Sequence, residues 1–295
     1  MTATRTEALH PEARGMDARP RIEAAGLLVE GQIAAALSLR HTLASLVSGA
    51  QAMATSVRSG GTLYYIAAGS SGLMAAADAQ ELGGTFSIPP QQLRILMAGG
   101  LPTGVEMPGG TEDETDTLAA DMQRVTPSDT IIAVSASGTT PFTLAAADIA
   151  RTRGATIIGI ANNAGAPLLQ AADHPICLAT PPEVLSGSTR LGAGTAKKIA
   201  LNTLSTLMAI ELGHVHDGMM VNVRADNIKL RARAAGIVAQ VTGADEATVQ
   251  SALDTTGGDV KSAVLVIQSV VSANDARSIL RETEGNLRAA MARST

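Results

Sequence analysis

The chain has 295 residues, 45% hydrophobic and 17% charged, enough apolar side chain for a sizeable core and too regular a mix for a disordered segment. Its 22 basic and 27 acidic residues leave a net charge of −5, and Tyr64, Tyr65, Phe86 and Phe142 are all its aromatics, which excludes nucleic acid as the main partner. A lone Cys177 excludes an internal disulfide and fits a reducing compartment, and the N-terminus lacks the apolar run of a signal peptide.

From Arg21 to about Arg58 the residues are helix formers, and Gly60-Gly61 ends the stretch. Four short apolar or β-branched runs, 62–67, 93–98, 130–135 and 156–161, predict strands buried on both faces, with 176–179 a weaker fifth. Between them 73–82, 113–124 and 142–153 have helical composition. Strands alternating with helices of this length imply a parallel, doubly wound α/β sheet. A long helix is predicted over 190–212, with Gly213 as its stop. Further on, Gly257-Gly258 breaks the chain and Asp259 is a suitable N-cap for 260–271. Ser272-x-x-Asp275 is close to a capping box ahead of 273–280. The expected organisation is an N-terminal helical segment (1–58), an α/β domain (59–225) and a small helical module (226–295). The module has a compact three-helix, UBA-like unit at 245–283. No stretch approaches the 18 or so uncharged apolar residues of a membrane span, so the chain reads as cytoplasmic.

Two loops share one design. The first strand leads into Ala68-Gly69-Ser70-Ser71-Gly72 and a helix, the third into Ser135-Ala136-Ser137-Gly138-Thr139-Thr140-Pro141 and another helix. Both join a strand's carboxyl end to a helix N-terminus, where doubly wound sheets bind ligands and free amides suit a phosphate. Ser, Thr and Gly also make ordinary turns, so one such loop alone would say little. Neither loop is G-x-G-x-x-G, and no G-x-x-x-x-G-K-[ST] occurs, which removes the main support for dinucleotides and nucleoside triphosphates. A small sugar phosphate fits better.

GSSG followed by DAQELGGTF, TEDE, SASGTTPF and PPEVLSGSTRLGAGTAKKIALNTLST resembles the N-acetylmuramic acid 6-phosphate etherases. These have the sugar isomerase (SIS) fold and are distantly related to the glucokinase regulatory protein. The resemblance runs from Thr6-Glu7 through GHVHDGMMVNVRADNIKLRARA to GNLRAAM near the end, and is most specific over 183–206. It implies a cofactor-free lyase that removes D-lactate from the amino sugar by elimination and water addition. It also implies a homodimer with no nucleic-acid or membrane partner.

That chemistry needs a base at C2 and an acid at the departing lactyl oxygen. The resemblance places the acid on Glu81, in Asp78-Ala79-Gln80-Glu81, and the base on Glu112. Without it, Glu81 is one glutamate late in a helix, for which a solvated face is the ordinary reading. Thr111-x-x-Glu114 matches a capping box and Asp113 complements a helix dipole, which leaves Glu112 without a structural task. Gly69, Ser70, Ser71, Ser135, Ser137, Gly138, Thr139 and Thr140 are expected to hold the phosphate. Glu183, Ser186, Ser188, Thr189 and Lys197 crowd the start of the long helix, where sugar contacts and a capped helix start are equal readings. His214-x-His216-Asp217 reads as a helix end rather than a metal site. Leu73, Thr139 and Gly192 stand where the resemblance expects cations, and Gly83-Gly84 where it expects prolines; lost charge near an anion puts substrate identity in question. The alternatives to the lyase are a non-catalytic sugar-phosphate sensor and an aldose–ketose isomerase on the same fold.

Overall fold

A computed structural model describes residues 5–108 and 110–293; the outermost ends of the 1–58 and 226–295 segments lie outside the described residues. The chain forms two compact units. One comprises Met1–Gln80 and Gln91–Ser205, the other Glu81–Pro90 and Thr206–Thr295.

In the first unit, helices α1 (Arg21–Leu37) and α2 (Leu43–Arg58) are separated by a 3-10 turn at Ser38–His41, so the expected single stretch is two helices. The strands follow: β1 (Leu63–Ala67), β2 (Leu93–Met97), β3 (Thr130–Val134), β4 (Thr156–Ala161) and β5 (His174–Cys177). All pair in parallel in the order β2-β1-β3-β4-β5. The three central strands β1, β3 and β4 are buried without alternation because helices cover both faces. On the face of Tyr64, Ile66, Ile131 and Ile157 lie Leu118 and Met122 of the short α4 (Leu118–Asp121) region, Ala146 and Ala150 of α5 (Pro141–Thr152), and Leu168 of α6 (Pro167–Ala171). On the other face α2 approaches closely: a Cβ on Gly49 would stand 3.5 Å from Ile158 and 3.0 Å from Leu204. Leu204 belongs to α7 (Gly192–Glu211), and α3 (Gly69–Phe86) follows β1.

The second unit holds a two-residue hairpin, β6 (Val215–His216) and β7 (Met219–Met220). It also holds helices α8 (Ile228–Thr242), α9 (Glu246–Thr256), α10 (Val260–Ser269), α11 (Ala273–Glu282) and α12 (Leu287–Arg293). Helices α9 to α11 cover the expected three, and α8 and α12 share their core of Ile237, Val249, Val264, Ala276 and Leu287. Asp259 accepts from Ser262 N at 2.6 Å and Ser272 Oγ from Asp275 N at 3.2 Å, so both anticipated caps form.

Three expectations fail. Residues 113–124 are not one helix: a 3-10 turn at Thr111–Asp113 precedes an extended Glu114, and the helix is only Leu118–Asp121. The Thr111–Glu114 capping box is absent, since Glu114 N donates to the Thr111 carbonyl and no side chain caps the turn. His214-x-His216 does not close a helix but opens the hairpin, turned by Asp217 and Gly218 at positive φ. In addition, Arg21–His41 is apolar and long enough to span a membrane by length and composition. Its inner face nevertheless packs on protein: Gln32 accepts a hydrogen bond from Thr195, and Gly31 lies against Val184.

Candidate active site

The strand order reverses between β1 and β3, whose neighbours β2 and β4 lie on opposite sides. At such a reversal the crossovers diverge, and sheets of this kind bind ligands outside the carboxyl ends of the two strands. The two hydroxyl-rich loops leave these two strands.

The β3 loop is an internally bonded cluster. Ser135 Oγ lies 2.8 Å from Thr140 Oγ1 and 3.3 Å from Ser137 Oγ, and accepts from Gly138 N at 3.0 Å. Ser137 Oγ accepts from Thr139 N at 3.1 Å and from the Thr139 hydroxyl at 2.9 Å. Gly138 has φ +72°, and a Cβ there would stand 2.5 Å from Ala166 Cβ; only glycine fits. Pro141 takes the first position of α5, where its missing donor costs nothing. The loop is latched from the chain's start. Asn163 Nδ2 donates to Ser137 O at 3.2 Å and to Thr6 Oγ1 at 3.1 Å, while Thr6 N donates to Asn163 Oδ1 at 3.3 Å.

Charged groups from other segments gather on the β1 loop. Gly69, at φ +53°, opens α3, and Glu112 Oε1 lies 2.7 Å from where its Cβ would be, so the Glu112 carboxylate rests on the first turn of that helix. Glu112 itself is exposed. Ser71, on the same turn, accepts from Lys197 Nζ at 2.7 Å. Lys197 is completely buried in α7. Burial pushes its ammonium down to about 8, against the pull of the Glu183 and then the Glu112 carboxylates.

Glu183 is buried, and its two oxygens accept from Gly192 N at 2.9 Å and Ala193 N at 2.7 Å. Of the two readings left open for this loop, its side chain makes the helix start. Ser186 Oγ donates to Glu7 O at 3.2 Å, and Ser188 turns the chain through its backbone. Ser70 is half-buried beside Ser71. Thus Gly69, Ser71, Glu112, Glu183 and Lys197 come together, and Ser135 to Thr140 form a second cluster. Glu81 is exposed on α3 and falls in the second unit.

Sequence reasoning passed over Asp78, the first residue of the D-A-x-E motif. It is buried, and its carboxylate accepts from Tyr65 Oη at 2.9 Å, Asn202 Nδ2 at 2.7 Å and Ser205 Oγ at 2.9 Å. It binds α3 to β1 and α7 three residues ahead of Glu81. In the second unit His216 Nε2 lies 3.6 Å from Asp217 Oδ2, and among the described residues no cluster of three His, Cys, Asp or Glu side chains could hold a metal.

The SIS domain family matches residues 111–212. The N-acetylmuramic acid 6-phosphate etherase of Deinococcus radiodurans is 42% identical over 286 residues, which cover 96% of this chain and 94% of that protein. That of Streptomyces coelicolor is 41% identical over 289 residues, 97% and 93% of the two. Two solved structures share the fold. A putative phosphosugar isomerase involved in capsule formation from Bacteroides fragilis matches 68% of this chain and 95% of its own at 18% identity and a TM-score of 0.53. A ligand-bound protein of Escherichia coli matches 67% and 94% at 15% identity and a TM-score of 0.51.

Proposed function

This chain belongs to the N-acetylmuramic acid 6-phosphate etherase family, and from that membership we propose how its residues divide the reaction. It is a carbon–oxygen lyase that cleaves the D-lactyl ether of N-acetylmuramic acid 6-phosphate, leaving N-acetylglucosamine 6-phosphate and D-lactate in cell-wall recycling. Ring opening exposes an aldehyde at C1 and acidifies the C2 proton. Glu112 takes that proton. The electron pair forms the C2–C3 double bond as the C3–oxygen bond breaks, and Glu81 protonates the leaving lactyl oxygen. Water then adds at C3, and a proton returns to C2. Two carboxylates serve such acid–base work without a metal.

One observation carries this assignment: the Glu112 carboxylate rests on the first turn of α3, at the point where the strand order reverses. Gly69, Ser70 and Ser71 and the Ser135 to Thr140 loop hold the phosphate in this reading, with Lys197 beside them. Incubation with the muramic acid phosphate should release D-lactate and exchange the C2 hydrogen with deuterated solvent. A sensor that binds without chemistry would do neither.

The same reading includes a cytoplasmic homodimer. On α1, Ile22, Val29, Ile33 and Leu37 are exposed while the opposite face is packed, an apolar stripe suited to a second copy of the chain.

A further inference from the structure

Neither hydroxyl loop contains a basic residue: 68–72 and 135–140 carry none. Positions 73, 139 and 192, where cations are expected, hold Leu73, Thr139 and Gly192. At 192 the reason is visible. A Cβ there would stand 3.0 Å from Ala35 Cβ and 3.2 Å from Glu183 Oε2, so any side chain would need α1 or the helix cap to give way. Five residues further along α7, Lys197 sends its ammonium to the β1 loop from the inside.

An ammonium has three donors and no acceptor. Ser71 Oγ must therefore accept from Lys197 Nζ, and its own proton is directed elsewhere. We propose that Lys197 is the cation of the phosphate site and acts through Ser71, fixing that hydroxyl as a donor to the anionic oxygens of the sugar phosphate. Lys197 is thus a positioning residue. It replaces, from behind the loop, the charge that the loop surfaces lack.

Its cost to the fold supports the assignment. Lys197 has no exposed surface, and among the described residues it forms no ion pair. A buried ammonium without a contacting carboxylate destabilises a protein, and an apolar side chain of similar volume would be the stable choice. Glu183 is occupied by two helix amides and Glu112 lies against Gly69, so both carboxylates offset the charge from a distance. An incoming phosphate dianion completes the neutralisation.

The inference rests on the sugar-phosphate reading of the site, which D-lactate release by the wild type tests separately. Calorimetric titration of Lys197→Met with N-acetylglucosamine 6-phosphate and with N-acetylglucosamine tests the inference itself. The expected result is a loss of about tenfold or more for the phosphorylated sugar and none for the other, with a melting temperature no lower than the wild type's. Ser71→Ala should show the same selective loss, and the double variant should lose no more than either single one. Ser71→Ala carries the test alone if Lys197→Met does not fold. Equal losses on both sugars, additive losses in the double variant, or unchanged affinity for the phosphorylated sugar overturns the inference.

Discussion

The phenolic hydroxyl of Tyr65 donates to Asp78 Oδ2 at 2.9 Å, joining β1 to the middle of α3 inside the first unit. Asp78 also accepts hydrogen bonds from Asn202 and Ser205. Burial, followed by the neighbouring carboxylate, holds the Tyr65 phenol well above its ordinary range, so it remains a donor at every physiological pH. Tyr65→Phe removes one of three donors and should cost about 1–2 kcal/mol in urea unfolding. Asp78→Ala strands two buried donors and the half-buried amide of Asn202, and should cost on the order of 3–5 kcal/mol. Equal losses would mean that the network is not centred on Asp78.

The two glutamates separate by isotope exchange. Glu81→Gln should block lactate release while C2 exchange with deuterated water continues; Glu112→Gln should abolish both. Each loss should be roughly 10²–10⁴-fold. Glu114 is the control. With no capping box and an exposed side chain, Glu114→Gln should change neither the rate nor, beyond about 0.5 kcal/mol, the stability. An inactive Glu114 variant beside an active Glu112 variant would move the base by two residues.

Glu183 gives a stability test. Glu183→Ala leaves the amides of Gly192 and Ala193 buried without an acceptor, and unfolding should become easier by about 2–4 kcal/mol. If Glu183 were chiefly a sugar ligand, the variant would melt with the wild type and show only a raised KM.

Strand positions were legible to within about two residues because all five strands are short and three of them, β1, β3 and β4, are uninterrupted apolar or β-branched runs, while β2 is broken only by Arg94. The failed helix at 113–124 has a physical cause. Its buried apolar residues are Leu118 and Met122, one contact per turn over a single turn, too few to hold a longer amphipathic helix. The missed hairpin did carry a signal, since Asp217-Gly218 is a favoured pair for a two-residue turn, but strands of two residues have no periodicity to flank it. Lys197 was legible as a candidate at the start of the long helix, but neither its burial and Ser71 partner nor the network of Asp78 could be read. Their partners lie 124 to 127 residues away for Asp78 with Asn202 and Ser205, and 126 for Lys197 with Ser71. A buried charge looks in sequence like any solvated one.

Lys197 also sets a pH dependence. Its pKa in the folded protein is about 8, below its ordinary 10.5. Between those values the unfolded chain holds the proton that the folded chain has shed, so this residue makes stability rise with pH across that window. The full effect is on the order of 3 kcal/mol, the equivalent of two to three pKa units. Lys261, which burial also lowers, acts in the same sense, so the contribution is read as the difference between wild type and Lys197→Met. Affinity for the phosphorylated sugar should fall through the same window in the wild type only. A variant that keeps both slopes would exclude Lys197 as their source.

The exposed stripe on α1 sets the assembly test. Ile33→Glu together with Val29→Glu puts two charges on that stripe and should convert a sedimenting dimer to a 29.9 kDa monomer without loss of helicity. A wild type that sediments as a fully active monomer would remove the interface.

The latch between Thr6 and Asn163 gives the start of the chain an unexpected weight. Clipping the chain after Glu7 would look like harmless trimming of a terminus, yet it would release an asparagine that also holds the Ser137 carbonyl, far downstream in the chain. Proteolysis or an ill-placed purification tag there should loosen the Ser135–Thr140 loop while leaving circular dichroism and sheet content intact. A preparation could then be well folded, monodisperse and poorly active, for a reason visible only by mass spectrometry of its first residues.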